Sequence, residues 1–249
     1  MGAIGFLSRN AMAEPRDSSD DLAREFSLAE VIAGALAIDG RDPSTAVPAP
    51  QTPDVHSHLN SMGRDSAIEH VRKFLEWSVD LPYLNEDLFL RQCEDVMANK
   101  TQHQAAQSPT SLHVFNFYIA CAIGISVSPT STHLSFLSSS LHSAALGELP
   151  SILRTEPALE HIHCLIMLVI YSLFNSSGGS AWHLLGLAMK TSISLGLHRE
   201  PDGHSTLRIA EDDRRRGLFW AVYSFDRMIS LVMDRPVSIQ DEDISVKVN

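Results

Sequence analysis

Residues 156–200 read EPALEHIHCLIMLVIYSLFNSSGGSAWHLLGLAMKTSISLGLHRE, and this stretch decides the fold class. Leu159, Ile162, Ile166, Val169, Ile170 and Leu173 recur with a 3.6-residue period, which places them along one side of an α-helix. Asn175-Ser176-Ser177-Gly178-Gly179 then lines up poor helix formers and ends it. A second helix opens near Ser180. Trp182, Leu185, Met189 and Ser192 share one of its faces while Leu184, Leu187, Ala188 and Leu195 cover others, so this helix is apolar nearly all round and is expected inside a bundle. Gly196 follows as a left-handed C-cap.

Toward the C-terminus, Glu211-Asp212-Asp213 sets carboxylates where a helix dipole favours negative charge. The run continues through Leu218, Phe219, Val222, Phe225, Ile229 and Met233 to Arg235-Pro236. Arg214-Arg215-Arg216 spreads over about 200° of the helix surface and cannot make one phosphate-binding stripe. Pairing with neighbouring carboxylates is the expected role of these arginines. Asp226 shares a face with Phe219, Val222, Ile229 and Met233, and a carboxylate among apolar neighbours needs a partner. Arg199 and Arg235 are the candidates, because Arg215, eleven residues earlier, lies ~16 Å away along the axis.

Toward the N-terminus, Leu112–Val127 and His133–Leu146 are two apolar stretches separated by Ser128-Pro129-Thr130, a turn signal. Both are expected as helices, although a short apolar run over Val114–Val127 also admits a strand. Ile68, Val71, Phe74, Leu75 and Val79 form an amphipathic helix. Leu81-Pro82-Tyr83-Leu84 closes it before a run through Leu88, Phe89, Cys93, Val96 and Met97. Residues 40–64 carry Pro43, Pro48, Pro50 and Pro53 among small polar residues and read as a linker. Leu22 to Ile38 has helical spacing, and the lead before it is too polar to bury a core. The organisation expected is residues 1–64 as a flexible N-terminal segment with one helix and the Pro-rich linker, then residues 65–249 as one helical domain. The fold class is all-α, a multi-helix bundle of helical hairpins.

Composition narrows the function classes. Of 249 residues, 19 are Lys or Arg and 30 are Asp or Glu, a formal charge of −11 that repels a polyanion. Cys93, Cys121 and Cys164 have no paired spacing, so neither a disulfide framework nor a thiolate zinc site is built from them, and reduced, buried thiols are expected. His161 and His163 sit two positions apart on a helix, on opposite sides, and cannot share one ion. His56 and His58 lie in the linker without a partner cluster. No H-E-x-x-H, G-x-S-x-G or Walker loop is present. The longest apolar run, Ile162 to Phe174, is shorter than the ~20 residues that cross a bilayer. No catalytic, metal-ligating or DNA-contacting residue is therefore nominated, and no membrane association is expected.

Four ordered elements carry a resemblance. They are Ala181-Trp182-His183-Leu184-Leu185-Gly186-Leu187-Ala188-Met189-Lys190 with Ser194-Leu195-Gly196-Leu197-His198-Arg199-Glu200; Arg214-Arg215-Arg216-Gly217-Leu218-Phe219-Trp220; Tyr223-Ser224-Phe225-Asp226-Arg227; and Arg235-Pro236 followed by Ile239 and Asp241-Glu242-Asp243-Ile244. Together they resemble the middle homology region of fungal zinc-cluster transcription factors, the fungal-specific transcription factor domain. The resemblance is specific over about residues 159–244. It makes Trp182, Gly196, His198, Arg199, Arg215, Phe219, Trp220, Asp226, Arg227, Arg235 and Pro236 structural landmarks, with Trp182, Phe219 and Trp220 as core anchors. Asp234 stands where the family has Gly before Arg-Pro, which puts the tight turn there in question.

The resemblance implies a regulatory domain of a nuclear transcription factor. Its partners would be the transcription machinery or a related factor, with a homodimer among the options. The family's zinc and DNA contacts belong to a binuclear cluster of six cysteines, and this chain holds no Cys-x2-Cys-x6-Cys run. Zinc therefore attaches to no residue here, no other cofactor is implied, and DNA would be reached only through another segment or a partner. The chain also ends five residues after Ile244, where family members continue with further helices, which implies a truncated product, a fragment or a stand-alone form.

Overall fold

The computed structural model describes residues 63–78, 81–101, 109–128, 134–175, 178–200 and 209–248. The helix read at Leu22–Ile38, the Pro-rich linker, and His56 and His58 lie outside the described residues. Among the described residues seven α-helices run in the order α1 (Arg64–Trp77), α2 (Glu86–Thr101), α3 (Ser111–Ser126), α4 (Ser135–Thr155), α5 (Ala158–Phe174), α6 (Ala181–Ser194) and α7 (Ile209–Val232), followed by a 3₁₀ turn at Asp241–Asp243. No strand occurs among the described residues, so the fold is all-α.

The centre is α3. It packs on α1, α2, α4 and α5, while α5 carries the packing onward to α6 and α7. Every residue of α3 from Phe115 to Ile125 is buried, which explains why the sequence there lacks amphipathic contrast and also admits a strand. The helix wins because Thr110 caps its N-terminus, its Oγ1 accepting from the His113 amide at 3.3 Å, and because a surrounded helix satisfies its backbone internally. Ile162 to Tyr171 of α5 are likewise buried. Complete burial of Phe115, Phe117, Ile119, Ile123 and Ile162 contributes about 1.5–3 kcal/mol per side chain.

Amphipathic helices shield these two. From α1 the buried face is Ala67, Ile68, Val71, Phe74 and Leu75, and from α2 it is Phe89, Cys93, Val96 and Met97; Leu88 points to solvent. Asn85 starts α2 by accepting the Leu88 amide at 2.9 Å on its Oδ1. Helix α4 extends beyond the stretch expected from sequence and runs through Pro150 to Thr155. Burial of Leu149 and Ile152 on either side of the proline outweighs the missing amide. The backbones of α1 and α3 meet at Gly124, where a Cβ would stand 1.9 Å from the His70 carbonyl oxygen.

Cys93, Cys121 and Cys164 are all buried and none is in a disulfide. Burial pushes the Cys93 and Cys164 thiols up, so the nucleophilic thiolate is disfavoured. No described helix is long and apolar enough to cross a membrane.

Candidate functional site

The landmark residues converge where α6, α7 and the segment 235–248 meet. Helix α6 ends at Ser194 with Leu195 as its C-cap, and Gly196 takes a left-handed backbone, φ +68°, that lets the Leu197 amide donate to the Ser192 carbonyl at 2.9 Å. The turn carries the chain to His198, whose backbone oxygen accepts from the amides of Ser245 and Val246 at 2.9 and 3.2 Å. Residues 235–248 thus form a strap that crosses α7 and ends against the 195–200 turn.

Helix α7 supplies the other anchors. Arg215 donates to the Leu195 carbonyl at 3.2 Å, placing a cation on the C-terminus of α6. Arg214 pairs with Glu160 on the first turn of α5 at 2.8 Å, and Arg216 pairs with Glu200 at 2.6 Å and with Asp213 at 3.0 Å. Glu200 also accepts the Lys247 amide at 3.0 Å, and these hydrogen bonds, that from Arg216 first, hold its carboxyl below the usual range. Trp220 donates from Nε1 to the Lys247 carbonyl at 2.9 Å. The three arginines therefore act as internal ties between elements.

Asp226 is 2% exposed, and its partners differ from those expected. Ser238 donates its hydroxyl to Oδ1 at 2.5 Å and its amide to Oδ2 at 3.0 Å, and Arg227 reaches Oδ2 at 3.3 Å. Arg199 and Arg235 do not hold it. Arg199 donates to His198 Nε2 at 3.1 Å, and the Arg235 guanidinium lies 4.4 Å over the Trp182 ring. Of the arginines on α7, Arg215 is eleven residues away and out of reach, whereas the adjacent Arg227 supplies the cation. This side chain folds along the strap to the Ile239 carbonyl at 2.8 Å and to Asp241 at 2.5 Å. Tyr223 adds a hydroxyl hydrogen bond to Asp241 at 2.9 Å and lends its ring to Arg227.

Asp234 adopts φ +51°, so the turn usually made by Gly persists with Asp. The Met233 and Arg235 amides, bonded to Ile229 and Ser230 carbonyls at 2.9 Å each, close the end of α7. Pro236 accepts from the Ser230 hydroxyl at 3.3 Å. Phe219 is fully buried, whereas Trp182 and Trp220 are half-buried at the margin of the core, because each keeps one edge against the strap or Arg235. Met233, expected on the core side, is 45% exposed, since the helix runs past the bundle's end there.

A second polar set lies deeper. Asn116 Oδ1 faces His163 Nε2 at 2.9 Å, and Tyr83 Oη faces His163 Nδ1 at 3.1 Å. An amide oxygen accepts only, so the imidazole carries its proton on Nε2 and Tyr83 donates to Nδ1. Burial first, and the Arg214 charge second, push His163 down to about 3; burial alone pushes His142, stacked on Tyr171 at 4.0 Å, down to about 4. His161 is on the other side of α5, apart from this set. Tyr83, Asn116 and Ser238 carry no sequence signal, because polar groups that meet across 12 to 80 residues of irregular connection leave no spacing pattern.

Between α1, α5 and α7 lies an apolar groove of about 270 Å³ lined by Trp77, Leu81, Leu173, Phe225 and Met228 among others. Among the described residues, no group of three or more His, Cys, Asp or Glu side chains could hold a metal ion. Cys93, Cys121 and Cys164, buried and far apart in sequence, do not fit a zinc cluster either.

Residues 74–248 match the family model of the fungal specific transcription factor domain. Protein STB5 of Saccharomyces cerevisiae is 29% identical over 171 residues, 66% of this chain and 23% of that protein. The positive regulator of purine utilization of Emericella nidulans is 29% identical over 198 residues, 58% of this chain and 19% of that protein. Pyrimidine pathway regulatory protein 1 of Saccharomyces cerevisiae is 28% identical over 141 residues, 56% of this chain and 15% of that protein. The chain thus spans less than a quarter of the length of these relatives. No solved structure matches it.

Proposed function

This chain belongs to the fungal specific transcription factor domain family, and on that premise we propose that it is a regulatory helical domain that tunes transcription through protein contacts, in the nucleus, without catalysis of its own. The observation that carries this reading is the use to which the charged landmarks are put. Arg214, Arg216, Arg227 and Asp226 each bind another part of the same chain, joining α5, α6, α7 and the strap. Charges engaged in this way position a scaffold and are poor general acids, bases or nucleophiles. The net charge of −11 disfavours direct contact with DNA phosphates, so DNA is reached through another segment or a partner, and so is any zinc.

The test is a reporter assay. The chain is inserted between a heterologous DNA-binding domain and an activation segment, at matched protein levels. Insertion is expected to change reporter output several-fold, and Asp226→Ala to reverse that change. Equal output with and without the insert would overturn the reading.

A second reading, pairing with another helical domain of the same family, is favoured by the apolar groove and by the exposure of Met228, Leu231 and Val232 at 43%, 84% and 79%. Sedimentation of the chain with such a domain, with and without Met228→Glu, measures it. A complex abolished by the substitution supports pairing, and no complex rejects it.

A further inference from the structure

The strap residue that closes on Asp226 also stands at the head of an acidic run. Ser238-Ile239-Gln240-Asp241-Glu242-Asp243 places carboxylates three, four and five residues after a serine. Ser238, Asp241, Glu242 and Asp243 are all exposed as residues. Kinases that carry a basic substrate groove read acidic side chains at these offsets, because each complementary charge strengthens docking of an extended segment. Residues 235–248 form no α-helix or strand, with a bend at Ser238 and Ile239 and a single 3₁₀ turn at Asp241–Asp243.

We propose that Ser238 is a phosphorylation site for an acid-directed Ser/Thr protein kinase, and that phosphate there releases the C-terminal strap from α7. The Ser238 Oγ attacks the γ-phosphorus of ATP, the bond to the ADP oxygen breaks, and the hydroxyl proton leaves to the kinase's base. The acceptor oxygen faces Asp226 at 2.5 Å in the closed strap, so transfer takes place on the opened form. Opening is local. Two apolar side chains of the strap, Ile239 and Val246, are buried and Ile244 is partly buried; the Arg227–Asp241 ion pair, Arg235 over the Trp182 ring and hydrogen bonds to α7 and to the 195–200 turn complete its attachment.

Once added, the phosphate opposes closure. It brings a charge near −2 and removes the donor that Asp226 requires, and Asp226 at 2% exposure has no water to replace it. Arg227 is the cation at this spot and already faces both Asp226 and Asp241. One guanidinium would then stand against two carboxylates and a dianion, so repulsion prevails over a new ion pair. Release would free the Lys247 carbonyl from Trp220 and Glu200 from the Lys247 amide, exposing the surface of α7 that the strap covers. The inference concerns the strap alone and does not depend on the function proposed above.

The experiment treats the full chain with a purified acid-directed Ser/Thr kinase, Mg²⁺ and ATP, then maps phosphate by mass spectrometry and amide exchange by deuterium uptake. Phosphate is expected on Ser238 and is lost in Ser238→Ala. Glu242→Gln with Asp243→Asn, which keeps the hydroxyl and its contact with Asp226, should slow the transfer about tenfold. In the phosphorylated chain the amides of Ser245, Val246 and Lys247 should exchange roughly tenfold faster or more. No phosphate on Ser238, transfer indifferent to the double substitution, or unchanged or stronger protection of those amides would each overturn the proposal.

Discussion

At the scale of single residues, the chain shows how a buried carboxylate is made tolerable. Asp226 sits between Val222 and Ile229 on the inner face of α7, and its solvation comes from a serine hydroxyl, a backbone amide and an adjacent arginine. Removing it leaves the Ser238 amide and part of the Arg227 fork without acceptors. Asp226→Ala is expected to lower unfolding free energy by about 2–4 kcal/mol in urea titration. An unchanged midpoint would mean that the strap contributes nothing to stability. Asp234 illustrates a smaller compromise. A left-handed residue other than glycine costs ~1 kcal/mol, and Asp is among the side chains that bear it best.

At the scale of elements, the contact of α1 with α3 is the most sterically demanding in the described structure's glycine positions. Helix propensity alone would favour Ala over Gly at position 124 by about 1 kcal/mol. A methyl group there would overlap the His70 carbonyl, which is backbone and cannot rotate away. The overlap wins. Gly124→Ala is therefore expected to destabilise the chain by about 2–3 kcal/mol, read from chemical denaturation, and a gain in stability would show that α1 shifts freely. The same logic explains α4, where apolar burial on both sides of Pro150 carries a helix through a residue that would otherwise end it.

At the scale of the whole molecule, the buried histidines couple folding to pH. His163 and His142, pushed down to about 3 and about 4 by burial, remain neutral in the folded chain, while in the unfolded chain they protonate as pH falls through ~6.5. The unfolded state then binds more protons, so this part of the stability is fully present above ~6.5 and drains away as pH falls toward the folded values. Urea midpoints should drop between pH 7 and pH 5, above the usual carboxylate range, with uptake of about two protons on unfolding and a loss of a few kcal/mol. His163→Gln, which can still hydrogen-bond with Tyr83 and Asn116, should remove about one of those protons. A midpoint independent of pH over that interval would show that these imidazoles are not kept neutral by the fold.

What was legible in the sequence follows from local physics. The 3.6-residue spacing of Leu159 to Leu173, the breaker run after Phe174, the Gly196 cap and the acidic start of α7 are short-range signals, and they determined the helical class and the order of the helices from residue 156 onward. The ordered Trp182, Arg214–Phe219, Asp226-Arg227 and Arg235-Pro236 elements determined the family. The partners of those residues were decided by the tertiary structure alone. Ser238 reaches Asp226 only because the turn at Asp234 reverses the chain, and Tyr83, Asn116 and His163 meet only because α3 and α5 cross in the core. Helical periodicity specifies which face a side chain occupies; which distant group fills the space opposite that face depends on how the helices pack.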